Sequence, residues 1–195
     1  MMTRLDYDAA VDVQYVDTRD KEDFQKSYLK GALNLNLANF ETYGPFLLDQ
    51  DQPLVLILQK EDEELVEAYQ EKSEGGDLPS IEGWISASDL PEDQLEKMES
   101  ISVEDFMKQE GDYILLDVRT PQEITRPAPE KNLQSIPLQE LAERYMELDA
   151  GLPVYTLCGS GTRATAAGSF LVDKGYQPVV ITGGMGAVED YQNNQ

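Results

Sequence analysis

The apolar positions of this chain gather in short continuous runs, at residues 13–16 and 54–58 in the first half and at 113–116, 154–157 and 179–181 in the second. Runs of this length, bounded by polar stretches, read as strands, and their continuity suits strands buried on both faces of a parallel sheet. The stretches between them read as helices. Ser102 places a hydroxyl cap before Glu104, Asp105, Phe106 and Met107, and an Ala-rich segment running on to Leu171 follows a Gly-containing turn. Strand and helix therefore alternate, which predicts an α/β fold built of small parallel sheets flanked by helices.

The pattern also repeats. At a spacing of one hundred residues, Asp17-Thr18-Arg19 falls on Asp117-Val118-Arg119, Pro53 and its aliphatic run fall on Pro153 and its own, and Leu58 falls on Cys158. Gly75 falls on Gly175, and Ile81 and Gly83 fall on Ile181 and Gly183. An ordered set of matches spread over about seventy positions indicates duplicated domains. The expected division is a domain over 1–86, a polar linker over 87–100 that contains Pro91, and a second domain over 101–195.

Composition narrows the chemistry. The 195 residues carry a formal charge of -23, with seven basic against twenty acidic residues up to position 90 and eight against eighteen beyond it. Both halves repel nucleic acid phosphates and anionic lipid, so neither nucleic acid nor membrane is an expected partner. There is no His and a single Cys. A Ser-His-Asp triad, a Cys-His dyad, a His-ligated zinc and an internal disulfide are all excluded within this chain, and no metal or cofactor is expected. The N-terminal residues lack an apolar signal core, and the run 54–58 is far too short to span a bilayer. The expectation is a soluble cytoplasmic protein in a reducing compartment.

What chemistry remains is concentrated in one loop. Strand residues 154–157 run into Cys158, Gly159, Ser160, Gly161, Thr162 and Arg163, and then into the Ala-rich helix. Glycines permit a tight turn in which successive N–H groups converge on one point, and the helix adds its positive dipole end. A sulfur at the start of such a loop is favoured as thiolate, which makes Cys158 a candidate nucleophile. A lone cysteine at a strand end is more often a small buried hydrophobe. The Gly-x-Gly turn directly after it moves the balance to function.

These residues, together with Ala167, Leu171, Gly175, Tyr176 and the stretch ITGGMGAV, resemble the active-site half of a rhodanese domain. Asp117-Val118-Arg119-Thr120-Pro121-Gln122-Glu123 is similar to that family's early signature, and residues 17–40 resemble the same family's first half, including a Gly-Ala-x-Asn segment at 31–34. The resemblance implies two rhodanese-like domains, the first lacking the active Cys and the second carrying an active loop over 158–163. It is similar to the paired inactive and active modules of bacterial persulfide dioxygenase-rhodanese fusions. The inactive copy, with Gln59, Lys60, Glu61, Asp62 and Glu63 after Leu58, is then expected to serve as scaffold and as one wall of the site.

The activity so implied is sulfur transfer through a Cys158 persulfide. Thiosulfate or a low-molecular-weight persulfide is the donor, and a thiol, sulfite or cyanide is the acceptor. Gly159, Ser160, Gly161, Thr162 and Arg163 would bind the substrate, Arg163 either directly or by anchoring the loop to a carboxylate. Asp117 and Arg119 are expected to form a structural ion pair near the strand ends, and Trp84 and Tyr155 to lie in core or at an interface. A persulfide dioxygenase or a sulfur-carrier protein is the implied macromolecular partner. Two differences from the family stand out: residues 126–133 replace its usual Gly-His-Ile-Pro-Gly-Ala segment, and Cys158 to Arg163 spans one residue fewer than the Cys-x5-Arg of related phosphatases. The alternatives are a noncatalytic sulfur-carrier or redox-sensing module and, more remotely, a 3-mercaptopyruvate sulfurtransferase.

Overall fold

A computed structural model describes residues 2–10, 12–59 and 65–194. The chain divides between Lys97 and Met98 into two compact units.

In the first unit the elements run β1 (Thr3–Arg4), β2 (Gln14–Asp17), α1 (Lys21–Lys26), β3 (Tyr28–Leu29), β4 (Leu33–Asn34), α2 (Leu37–Leu47), β5 (Leu54–Leu58), α3 (Val66–Glu74), β6 (Ile81–Ser86) and β7 (Leu95–Glu96). Five of these strands form a wholly parallel sheet in the order β1-β6-β5-β2-β4, and β3 pairs with β7 in an antiparallel ribbon. All five residues of the central strand β5 are fully buried, which is why its sequence is continuously aliphatic. Phe40 of α2 and Tyr69 of α3 meet edge to face, with ring centroids 5.1 Å apart. Trp84 is buried beneath the guanidinium of Arg4, as expected for a core residue.

The second unit comprises β8 (Ser100–Ile101), α4 (Val103–Phe106), β9 (Ile114–Asp117), β10 (Leu133–Ser135), α5 (Leu141–Arg144), β11 (Pro153–Leu157), α6 (Thr162–Asp173), β12 (Gln177–Ile181) and α7 (Gly184–Asn193). Its sheet is parallel throughout, in the order β10-β9-β11-β12-β8. Alternation along the strands divides the core into two layers. Leu115, Tyr155, Leu157 and Ile181 join Val103, Phe106, Met185 and Val188 of α4 and α7, with Tyr155, Phe106 and Tyr113 in mutual ring contact. Thr156 and Val180 meet α6 instead: the Thr156 hydroxyl donates to the carbonyl of Ala164 at 3.0 Å, and Val180 comes close to Gly168. Eight consecutive residues of α6, from Ala164 to Leu171, are buried, and Ala and Gly among them allow the helix to lie close to the sheet.

The two sheets have the same strand order, and part of the register repeats as well. Asp17 pairs with Ile57 as Asp117 pairs with Leu157, so the spacing of one hundred residues holds across β2–β5 and β9–β11 and puts Leu58 where Cys158 stands. Asp17 lies beside Asn34 but Asp117 beside Ser135, so the connection between these strands is one residue longer in the second unit. The spacing does not hold after the helices. Leu56 pairs with Trp84 and Thr156 with Val180, so Ile181 corresponds to Ile85. The matches of Ile81 with Ile181 and of Gly83 with Gly183 are therefore not equivalences in the fold: the connection into β6 is longer by three residues than that into β12, and a bulge at Glu82 adds a fourth. Among the described residues no helix is long and apolar enough to cross a membrane.

Candidate active site

Cys158 directly follows the last residue of β11 and is buried, and the chain turns through Gly159, Ser160 and Gly161 into α6. Gly161 caps that helix with a left-handed φ of 99°, a conformation that favours glycine. The turn directs two backbone N–H groups at one sulfur: Gly161 N lies 3.1 Å and Ala164 N 3.4 Å from Cys158 Sγ. Both donors belong to the start of a twelve-residue helix, whose dipole also favours negative charge at that point. Ser160 is exposed at the tip of the loop, and Gly159, Thr162 and Arg163 are half-buried around it.

The loop is held from behind by the turn between β12 and α7. Met185 N donates to the Cys158 carbonyl at 2.8 Å and Gly186 N to the Gly159 carbonyl at 3.1 Å. Gly183 and Gly184 both have positive φ, at 77° and 58°. Two loop carbonyls are thus occupied at the start of α7, while amides of the same loop serve the sulfur. The Gly-Gly pair was visible in the sequence as a flexible paired-glycine signal and as part of a family pattern, whereas its clamping role depends on a contact across the sheet ends.

Arg163 is paired. Its Nη1 donates to Glu123 Oε2 at 2.7 Å, and that oxygen also accepts from Thr120 N at 3.0 Å and Thr120 Oγ1 at 2.7 Å. Thr120 and Glu123 form a capping box around the short turn Pro121–Glu123. The Arg163 hydrogen bond, reinforced by the Thr120 donors, holds the Glu123 carboxyl down at about 2. Glu123 was legible as part of the signature after Asp117 but not as the partner of Arg163.

Asp117 and Arg119 are buried and bonded side by side, with Nε to Oδ1 at 3.0 Å and Nη2 to Oδ2 at 2.7 Å. Both Nη atoms of Arg119 reach the Arg126 carbonyl at 3.3 Å, so the pair ties down the chain on either side of Glu123. Asp17 and Arg19 repeat this geometry in the first unit, with 2.9 Å and 2.6 Å for the corresponding bonds and Ser27 O in the place of Arg126 O. Tyr155 belongs to the aromatic core layer. In the first unit Leu58 closes β5 with no exposure, and the charged stretch expected after Gln59, at Lys60, Glu61, Asp62 and Glu63, lies outside the described residues. No cluster of three or more metal-ligating side chains occurs among the described residues.

Residues 102–190 match the family of the rhodanese-like domain. The chain carries a rhodanese-like domain. The match opens at Ser102, the cap of α4, and closes within α7, so it takes in the Cys158 loop, the Glu123 turn and the clamp behind the loop. Among solved structures, a rhodanese-related protein from Thermoplasma volcanium is 31% identical over 47% of this chain and 92% of that chain, with a TM-score of 0.44. A NAD-dependent persulfide reductase from A. fulgidus is 27% identical over 46% of this chain and 16% of that chain, with a TM-score of 0.40. A thiosulfate sulfurtransferase from Pseudomonas aeruginosa is 15% identical over 92% of this chain and 39% of that chain, with a TM-score of 0.42. Among curated proteins none matches the chain. Within the rhodanese-like domain the nucleophile candidate, its amide donors and the Arg163–Glu123 pair all stand at the C-terminal ends of β9 and β11, where open parallel sheets bind their ligands.

Proposed function

We propose that the protein is a sulfurtransferase that moves a sulfane sulfur from thiosulfate or a low-molecular-weight persulfide to a thiol, sulfite or cyanide, by way of a persulfide on Cys158. The observation that carries this reading is the pair of backbone donors on Cys158 Sγ, at 3.1 and 3.4 Å, at the start of α6. A sulfur held by N–H groups is stabilised when it bears negative charge, both as attacking thiolate and as persulfide anion.

In the first step the Cys158 thiolate attacks the outer sulfur of the donor. A new S–S bond forms at Sγ, the donor's own S–S bond breaks, and its electron pair leaves on sulfite or on the donor thiolate. In the second step an acceptor nucleophile takes the outer sulfur and returns Cys158 as thiolate. No metal or redox cofactor enters this scheme. Gly159, Ser160, Gly161, Thr162 and Arg163 frame the reacting sulfur, and Asp117 with Arg119 acts as structure beneath it. We read the first unit as a second rhodanese-like domain without a nucleophile, on the strength of its shared strand order and the Leu58 position. A persulfide dioxygenase or a sulfur-carrier protein is the corresponding macromolecular partner, and the cytoplasm the corresponding compartment.

The test is intact mass after incubation with thiosulfate or an alkyl persulfide, alongside Cys158→Ser, followed by a cyanide chase assayed for thiocyanate. A one-sulfur adduct that requires Cys158 and is lost to cyanide is the expected result. An adduct that no small acceptor removes would replace the enzyme with a carrier or sensor. No adduct from any donor would overturn sulfur transfer altogether.

A further inference from the structure

This inference rests on the sulfur-transfer reading and concerns which donor the site accepts. Arg163 is the cation that the loop itself carries, and it is committed. Glu123 Oε2 receives three hydrogen bonds, from Arg163 Nη1, Thr120 N and Thr120 Oγ1, so the carboxylate is fixed by its own turn before it meets the guanidinium. The Arg163 side chain is 17% exposed and that of Glu123 42%, which puts the negative partner on the outside. Charge for charge, this pair presents no net positive charge to an approaching anion. The N–H groups of Gly161 and Ala164 still attract it, their dipoles acting at short range on one sulfur. The chain's formal charge of -23 adds a repulsive background that weighs more heavily on a dianion than on a monoanion.

We propose that Glu123 is a specificity-determining residue: by holding Arg163 it makes the site prefer the persulfide of a small thiol, which carries one negative charge, over dianionic thiosulfate. The bond changes are the same for both donors. Sγ gains the outer sulfur, the donor S–S bond breaks, and its electron pair leaves on a thiolate in one case and on sulfite in the other.

The experiment is a single-turnover measurement of Cys158 persulfide formation by quenched intact mass, with thiosulfate and with the persulfide of 2-mercaptoethanol as donors. Glu123→Gln keeps the side-chain size and an oxygen for Thr120 while removing the charge. The expected result is a rise in the thiosulfate rate constant of about tenfold and in the persulfide rate constant of about threefold, because an uncompensated charge acts on two donor charges in one case and one in the other. Glu123→Asp, which retains the charge, is expected to keep the wild-type ratio between donors. Equal changes for both donors, or slower thiosulfate transfer, would overturn the specificity role while adduct formation in the wild type left sulfur transfer standing. Absence of any adduct in the wild type would overturn sulfur transfer instead. If Glu123→Gln does not fold, a salt titration of the wild type decides. A thiosulfate rate constant that is flat or rises with ionic strength supports the closed pair, and one that falls overturns it.

Discussion

A β-carbon placed on Gly184 would lie 2.4 Å from the carbonyl oxygen of Cys158 and 2.8 Å from that of Gly159. The turn after β12 and the loop after β11 therefore touch backbone to backbone, and the clamp made by Met185 N and Gly186 N has no room for a side chain between them. Gly184→Ala must push the Cys158 loop away or give up those bonds, and at φ 58° it also carries left-handed strain of about 1 kcal/mol. Displacing a nucleophile by about an ångström costs on the order of a hundredfold in rate. The expected outcome is a fall in Cys158 persulfide formation of at least about tenfold with the fold retained, checked by single-turnover mass spectrometry beside a far-ultraviolet circular dichroism spectrum.

Glu123 sets a pH window. Its carboxyl is lowered from the ordinary 4.5 to about 2, with the Arg163 hydrogen bond as the largest cause. A carboxyl depressed in the folded state contributes stability above its unfolded value, and that contribution is lost as pH falls through its folded value. The difference in unfolding free energy between wild type and Glu123→Gln should accordingly be constant from about pH 6 to 8 and shrink progressively from about pH 4.5 to 2. Denaturant titrations at several pH values measure it. A difference that changes between pH 6 and 8 would show that another group controls this turn.

The ion pairs Asp117–Arg119 and Asp17–Arg19 have nearly superimposable distances, although only the second unit carries the Cys158 loop. A pair present in both units serves what the units share, which is the strand end and the chain that leaves it. Removing the acid leaves a buried guanidinium without its counter-charge, a loss of about 3–5 kcal/mol. Asp117→Ala and Asp17→Ala are each expected to destabilise by about that amount in denaturant melts. A loss of activity with unchanged stability in Asp117→Ala would instead assign Asp117 to the chemistry.

The strands that run continuously apolar were legible in the sequence because burial on both faces leaves little choice of residue, as the five buried positions of β5 illustrate. The Cys158 loop was legible for a similar reason, since Gly161 must adopt a positive φ to aim its amide. Arg163 and Glu123 are forty residues apart, and their meeting depends on the capping-box turn after β9, a three-dimensional fact that neither residue type announces. The clamp from the Gly184 turn was hidden likewise. The fixed spacing of one hundred residues misled after Gly75, because a longer turn and a bulge in β6 absorb the extra residues, and only the register of β6 and β12 exposes the slip.

The first unit offers a test of what the loop contributes beyond its nucleophile. Leu58 ends β5 at the position that Cys158 occupies after β11, since Ile57 faces Asp17 as Leu157 faces Asp117. The residues after Leu58 are Gln59, Lys60, Glu61, Asp62, Glu63 and Glu64, with no glycine and four carboxylates in succession. A thiol there would have the same parallel sheet beneath it but no Gly-x-Gly sequence after it to bring amides to the sulfur. Leu58→Cys combined with Cys158→Ser is therefore expected to take up no sulfur from thiosulfate or an alkyl persulfide, at a stability cost of about 1–3 kcal/mol for the smaller buried side chain. Intact mass after incubation reads the outcome. A one-sulfur adduct on this double variant would mean that a cysteine at the end of a parallel strand suffices, and that the amides of Gly161 and Ala164 are not what makes Cys158 reactive.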